Sequence, residues 1–153
     1  MRKLATLIMV ALACLWLTAT PSLADGEHGS KEEAKAMAEK AAAFLKTQGK
    51  DKAFETFTQG GAGFKNRDLY VFVYNDEGVC QAIGSNPAMV GKKLIDMKDS
   101  DGKPLIREFI AVKDAAWVDY KWRNPQTQEI LPKSSYIIRV GDYVLGVGAY
   151  VFH

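Results

Sequence analysis

Only two histidines occur in the 153 residues, His28 and His153, and neither lies in the interior of the sequence. A Ser/His/Asp or Cys/His arrangement needs an imidazole within hydrogen-bond reach of its nucleophile, and zinc needs several converging Cys, His or carboxylate ligands. Those enzyme classes fall away. Cysteine is as scarce: Cys14 lies in an apolar N-terminal run, so that without this run Cys80 stands alone and no internal disulfide forms. Cys80 follows Gly78-Val79 and reads as a small apolar strand residue. There is no Cys-x-x-Cys-His haem motif, no glycine-rich phosphate loop and no dinucleotide fingerprint, so no cofactor is expected. An excess of charge is also missing. Removing Arg2 and Lys3 with the N-terminal run leaves 18 basic residues facing 18 acidic ones. That neutral balance argues against nucleic-acid or anionic-membrane partners, which depend on concentrated positive charge.

The N-terminus places Arg2 and Lys3 before an uncharged run from Leu4 to Thr18, then Pro21 and Ser22-Leu23-Ala24. This is the pattern of a secretory signal peptide over 1–24, since the run is shorter than the roughly 20 residues that span a bilayer. An uncleaved anchor is the alternative, and Cys14 sits too early in the run to be a lipid-attachment site. The expectation is one periplasmic domain over 25–153, without stable membrane insertion after cleavage.

Ser30 and Glu33 form a capping box, and Met37, Ala41, Phe44 and Leu45 recur at helical spacing until Gly49. A helix is predicted over 31–48 and a shorter one over 50–59, ended by glycines. Leu69 to Asn75 is apolar throughout, which marks a central strand covered on both faces, and Asp76-Glu77-Gly78 turns it into 79–83. Asn86-Pro87 starts a short helical turn, and Asp101 with Pro104 starts a helix through Ile106, Phe109 and Ile110. Three strands follow, Trp117 to Trp122, Tyr136 to Val140 and Tyr143 to Val151, with breaks at Asn124-Pro125 to Pro132 and at Gly141-Asp142. The order reads as an α+β fold with a five-stranded antiparallel sheet.

Asp99, Asp101 and Glu108 overlay part of a calcium loop, but Met97 and Pro104 occupy positions where that loop needs a carboxylate and a backbone donor. A turn and helix cap explain the segment better, and no metal is expected. What remains is a density of aromatics with polar tips: Tyr70, Tyr74, Trp117, Tyr120, Trp122, Tyr136, Tyr143 and Tyr150. Core packing explains most of them. Their O–H and N–H groups still need partners when buried, so such a sheet tends to hold a polar pocket. Alternation puts Val118, Tyr120 and Trp122 on one face. Lys133 could reach inward to pair with an anion, or stand solvated at the strand start, and it shares a face with Tyr136 only if a bulge intervenes. Tyr70, Phe72, Tyr120, Trp122, Lys133 and Tyr136 are the candidate ligand-binding residues. No catalytic residue is identified.

The run Leu69 to Tyr74, Asn86-Pro87 before Val90-Gly91-Lys92, Asp101-Gly102-Lys103-Pro104, Trp117 to Pro125 and Pro132-Lys133-Ser134-Ser135-Tyr136 together resemble the single-Cache domain family of the second type. The resemblance implies a PAS-like fold, with a long N-terminal helix on one face of a five-stranded antiparallel sheet and a small-ligand pocket on the other. It implies a sensor module for a small organic acid, a two- to four-carbon carboxylate, acting through a membrane-bound sensor kinase or chemoreceptor. The alternative is an accessory protein of a membrane sensor or redox complex with a vestigial pocket. One departure is that Ala82-Ile83-Gly84-Ser85 lacks the histidine that relatives often carry before Asn-Pro. Secreted protein should begin at Asp25 by N-terminal sequencing, whereas protein retained in the membrane with Met1 to Ala24 attached contradicts the soluble assignment.

Overall fold

The computed structural model describes residues 26–152; the expected signal peptide over 1–24 and the terminal His153 lie outside them. The capping box forms as the sequence requires. Ser30 Oγ accepts from the Glu33 amide at 3.1 Å, Glu33 Oε2 accepts from the Ser30 amide at 2.8 Å, and helix α1 (Lys31–Gln48) runs on to Gly49. Helix α2 (Lys50–Gln59) follows at once and ends at Gly60, whose left-handed φ of 71° suits a residue without Cβ.

Six strands follow: β1 (Lys65–Asn66), β2 (Leu69–Asn75), β3 (Cys80–Ile83), β4 (Ala115–Arg123), β5 (Ile130–Val140) and β6 (Tyr143–Tyr150). All pair antiparallel. Four of them run β2-β6-β5-β4, while β1 and β3 share the remaining edge of β2. The five expected strands are present, and the two-residue β1 makes the sixth. A single turn of 3-10 helix (Pro87–Met89) and helix α3 (Leu105–Ala111) connect β3 to β4.

Two sequence expectations need correction. Strand β5 starts at Ile130 and contains Pro132, which had been placed in a break. Its β4 partner, Lys121, points its own amide outward to Asp99 Oδ2 at 3.0 Å, so this pair exchanges no hydrogen bond and a missing N–H leaves no gap there. Helix α3 starts at Leu105 after Pro104, and Asp101 does not cap it.

Alternation along the strands builds two apolar layers. Val71, Val73, Leu145, Val147 and Ala149 face α1 and α2, and Ala34, Ala38 and Ala41 let α1 approach the sheet closely. Phe72, Tyr74, Ile137 and Val144 face the other way, under Leu105, Ile106 and Phe109 of α3. β2 is therefore covered on both faces, which explains its unbroken apolar run. Helix α3 is only 7 residues long, and Arg139 secures its C-terminal end: Nε donates to Val112 O at 3.0 Å, one terminal nitrogen donates to Ile110 O at 2.5 Å, and the other pairs with Asp76 at 2.7 Å. Arg139→Met should lower stability by about 1–3 kcal/mol in urea denaturation, because it strands those carbonyls.

Candidate ligand-binding site

On the α3 face, the register places Lys133 directly between two aromatic neighbours, Tyr120 on β4 and Tyr150 on β6. Lys133 is 2% exposed. It can lie flat across the sheet because β6 carries glycine at 148: a Cβ there would sit 2.5 Å from Lys133 Cε and 2.1 Å from Ser135 Oγ. The stem therefore crosses β6 toward β2. Its Nζ donates to Tyr70 Oη at 2.9 Å and to Tyr150 Oη at 3.4 Å, and it lies 4.1 and 4.6 Å from the centres of their rings. Both contacts favour a cation.

An ammonium group has three hydrogens to donate, and these two phenols take two of them. Lys133 forms no ion pair among the described residues. A buried cation without a counter-anion costs several kcal/mol in desolvation. The surroundings stabilise it only through neutral oxygens and ring faces.

Around this cation, Tyr120 Oη and Ser135 Oγ are 2.9 Å apart, and Tyr150 Oη donates to Arg123 O at 2.9 Å. Burial pushes the Tyr70 phenol up, but the Lys133 charge and hydrogen bond outweigh it, so Tyr70 titrates below the ordinary tyrosine value. Burial drives Tyr120 and Tyr150 the other way, and the nearby Tyr70 adds to the rise. A cavity of about 560 Å³ adjoins the cluster, bounded in part by Ser85, Asn86, Trp122 and Arg123. Two contacts join its lining to the cluster: Trp122 packs beside Tyr120, and the Arg123 carbonyl accepts from Tyr150.

The six sequence candidates divide. Tyr70, Tyr120 and Lys133 come together in the buried cluster, while Trp122 stands beside Tyr120, with ring centres 6.4 Å apart, and lines the cavity. Phe72 shares their face but is packed under α3, stacked on Phe109 at 5.2 Å. Tyr136 is on the opposite face. The β5–β6 register runs unbroken from Lys133 to Val140, so no bulge turns it round, and it packs against Trp117 with Lys35 of α1 over its ring.

Tyr150 and Ser135 were missed as site residues. Their signal was Gly146 and Gly148, two apart in a strand and hence on one face, the mark of a close approach. His28 is no loose chain end: its Nδ1 meets buried Asp68 Oδ2 at 3.1 Å, and its ring stacks on Phe152 at 3.7 Å. Asp99, suspected as part of a calcium loop, instead accepts the amides of Asp101, Lys103 and Lys121 at 2.9, 2.9 and 3.0 Å. Cys80 is buried, and burial raises its thiol to about 11, so it is no nucleophile at neutral pH.

The family model for Single Cache domain 2 matches residues 9–152. The chain belongs to that family. Domains of this family are sensory ligand-binding modules, typically periplasmic. This Cache domain is 32% identical over 89 residues to the sensor histidine kinase MctS of Rhizobium johnstonii, covering 56% of this chain and 19% of the kinase. It is 32% identical over 72 residues to the methyl-accepting chemotaxis protein McpP of Pseudomonas putida, covering 44% of this chain and 13% of that receptor. The chain thus matches less than a fifth of the length of either relative.

Among solved structures, a methyl-accepting chemotaxis protein of Vibrio parahaemolyticus superposes with a TM-score of 0.68 at 26% identity, covering 78% of this chain and 87% of that one. A Cache chemosensory domain described for carboxylic acid recognition gives 0.66 at 22% identity, covering 79% and 92%. That second likeness bears on the fold. No helix among the described residues is long and apolar enough to cross a membrane.

The phenol pattern has a spectroscopic consequence. In a phenolate absorbance titration, one tyrosine should ionise below the ordinary value of about 10. That early phase should vanish in Tyr70→Phe and move up in Lys133→Met. Because the folded value of Tyr70 lies below its unfolded one, its ionisation adds stability as pH rises toward 10. Tyr120 and Tyr150, with raised values, withdraw stability above 10.

Proposed function

We propose that this Cache domain is a periplasmic sensor module for a small organic acid of two to four carbons, held through its carboxylate by Lys133. The observation that carries this reading is the ammonium group with one donor unspent and no ion-pair partner among the described residues. A carboxylate would supply both the missing acceptor and the missing negative charge, with Tyr70 as a second donor to it. Tyr120, Ser135 and Trp122 form the surrounding wall. A Cache domain of the same fold is described for carboxylic acid recognition, the ligand class proposed here. No residue of the cluster is arranged as a nucleophile with a base, so binding, not turnover, is the activity proposed.

The signal would pass to a membrane-bound partner, and the kinase and chemoreceptor relatives support that class of partner. The site suggests a route. Tyr150 ties the Lys133 cluster to the Arg123 carbonyl, and the next residue, Asn124, donates to Asp68 Oδ2 at 3.2 Å. Asp68 also accepts from the Gly29 amide at 2.8 Å, just ahead of α1. An acid that draws Tyr150 toward itself would therefore pull on the start of α1.

Lys133→Met keeps the stem and removes the charge. Calorimetry against acetate, propionate, pyruvate and butyrate should show binding to the parent weakened by about 2–5 kcal/mol in the variant. The unliganded variant should melt at the same temperature or higher, because an uncompensated buried charge is gone. Binding unchanged within about 0.5 kcal/mol removes Lys133 from the site. No binding to the parent across a broad panel of acids favours the accessory protein with a vestigial pocket. A second variant tests the cradle: Gly148→Ala should displace the lysine stem and weaken the same acids at least tenfold, with the fold retained.

A further inference from the structure

The sheet closes most of both its edges. On the β2 side, the chain after β3 covers that strand: the Cys80 amide donates to Lys92 O at 3.0 Å, and Cys80 O accepts from the Gly91 amide at 2.8 Å. On the other side β4 is the last strand. Its odd-numbered residues turn their amides and carbonyls outward, since Asp114 O faces β5 to accept from the Arg139 amide at 2.7 Å while the Lys121 amide faces Asp99. The segment before α3 covers the far half of this edge, through Asp99 on the Lys121 amide and Lys103 Nζ on Asp119 O at 2.6 Å. The near half is open. The outward N–H and C=O groups of Ala115 and Trp117 meet no hydrogen-bond partner among the described residues. Sheets usually guard such an edge with lysine, proline or a bulge. Here it reads Ala115-Ala116-Trp117, all exposed, with the indole 36% open to solvent. Tyr136 beside that ring, at 5.1 Å, and Lys31 Nζ over it, at 4.4 Å, hold it in place.

We propose that this edge pairs with the same edge of a second copy of the chain, antiparallel about a two-fold axis at Ala116. Registers centred on Ala115, Ala116 or Trp117 bring outward groups together. A centre at Ala115 runs the pairing into residues 113–114, which are not strand. A centre at Trp117 sets the two indoles against each other and Lys113 opposite the second copy's Lys121. A centre at Ala116 sets Trp117 opposite Ala115, whose methyl leaves room for the indole, and exposed Lys113 opposite exposed Asp119. That register matches in size and in charge, and opposite charges across a strand pair stabilise it where like charges oppose it. The ladder is short, so the dimer is of the weak, transient class. It does not depend on what Lys133 binds.

Cysteine on the axis reads the register directly. In this arrangement the two Ala116 residues form a non-hydrogen-bonded pair with Cα atoms about 4.5 Å apart, within disulfide reach of about 4.4–6.8 Å. Mature chain carrying Ala116→Cys and oxidised with copper phenanthroline should give a covalent dimer. Ala115→Cys, about 7–8 Å from its copy, should give far less. Cys80 is buried and does not compete. Sedimentation velocity of the parent should show mass rising toward a dimer with concentration. Asp119→Lys, which sets two lysines opposite each other, should weaken self-association at least tenfold, and adding Lys113→Asp should restore it. Ser134 Oγ donates to Asp119, so a loss that the second change does not restore is a defect of folding, not of pairing, and counts against the proposal. A chain that stays monomeric to millimolar concentration, with Ala116→Cys not cross-linked, overturns the inference and leaves the edge to a strand of a different partner. A dimer that cross-links through Ala115→Cys but not Ala116→Cys overturns it as well.

Discussion

A lysine ammonium buried without a counter-anion is the constraint from which the rest of this site follows. Charge of that kind is expensive to remove from water, and the chain supplies only partial compensation, two phenol oxygens and two ring faces. If stability alone mattered, methionine at position 133 would serve as well. The geometry is nevertheless specific: Gly148 clears a path for the stem, Tyr70 and Tyr150 meet its end, and Tyr120 is held aside by Ser135. On the function proposed above, this cation in its fitted cradle is the partner of an anion from outside. An anion that pairs with it would turn that desolvation penalty into affinity.

The scaffold explains why the cluster can be rigid and still communicate. β2 lies against helices on both faces, so Tyr70 rises from the best-covered strand of the sheet. Tyr150 is the last residue of β6, beside the turn that follows β4, and its hydroxyl donates to backbone, the Arg123 carbonyl, while it accepts from Lys133. One phenol is thus anchored in the core and the other tied to a connection that leads, through Asn124 and Asp68, to the residues before α1. A ligand that bridges the two would couple a rigid element to a movable one.

The sequence made the layers legible because its periodicities are strong. The capping box, the helical spacing of Met37, Ala41 and Leu45, and the apolar β2 each marked an element whose observed bounds match. Pro132 misled, since it stands near the start of β5, where its nitrogen faces away from β4 and only its carbonyl need pair, accepting from Val151 just past the end of β6. Within the site, alternation grouped Tyr120 with Trp122, and the place of Lys133 at the start of a strand, with a stem long enough to reach inward, marked it as a partner for an anion. Tyr150 went unassigned because cross-strand neighbours depend on register, which hairpin lengths alone do not set. His28 illustrates the same limit: its partner Asp68 lies 40 residues away, and nothing local announces the contact.

The most direct test is a crystal structure of the mature chain grown with a bound small organic acid. The account predicts a carboxylate oxygen about 2.7–2.9 Å from Lys133 Nζ, the range for charge-assisted hydrogen bonds, with Tyr150 drawn from the Arg123 carbonyl. An acid bound elsewhere, with Lys133 still closed on both tyrosines, would contradict it.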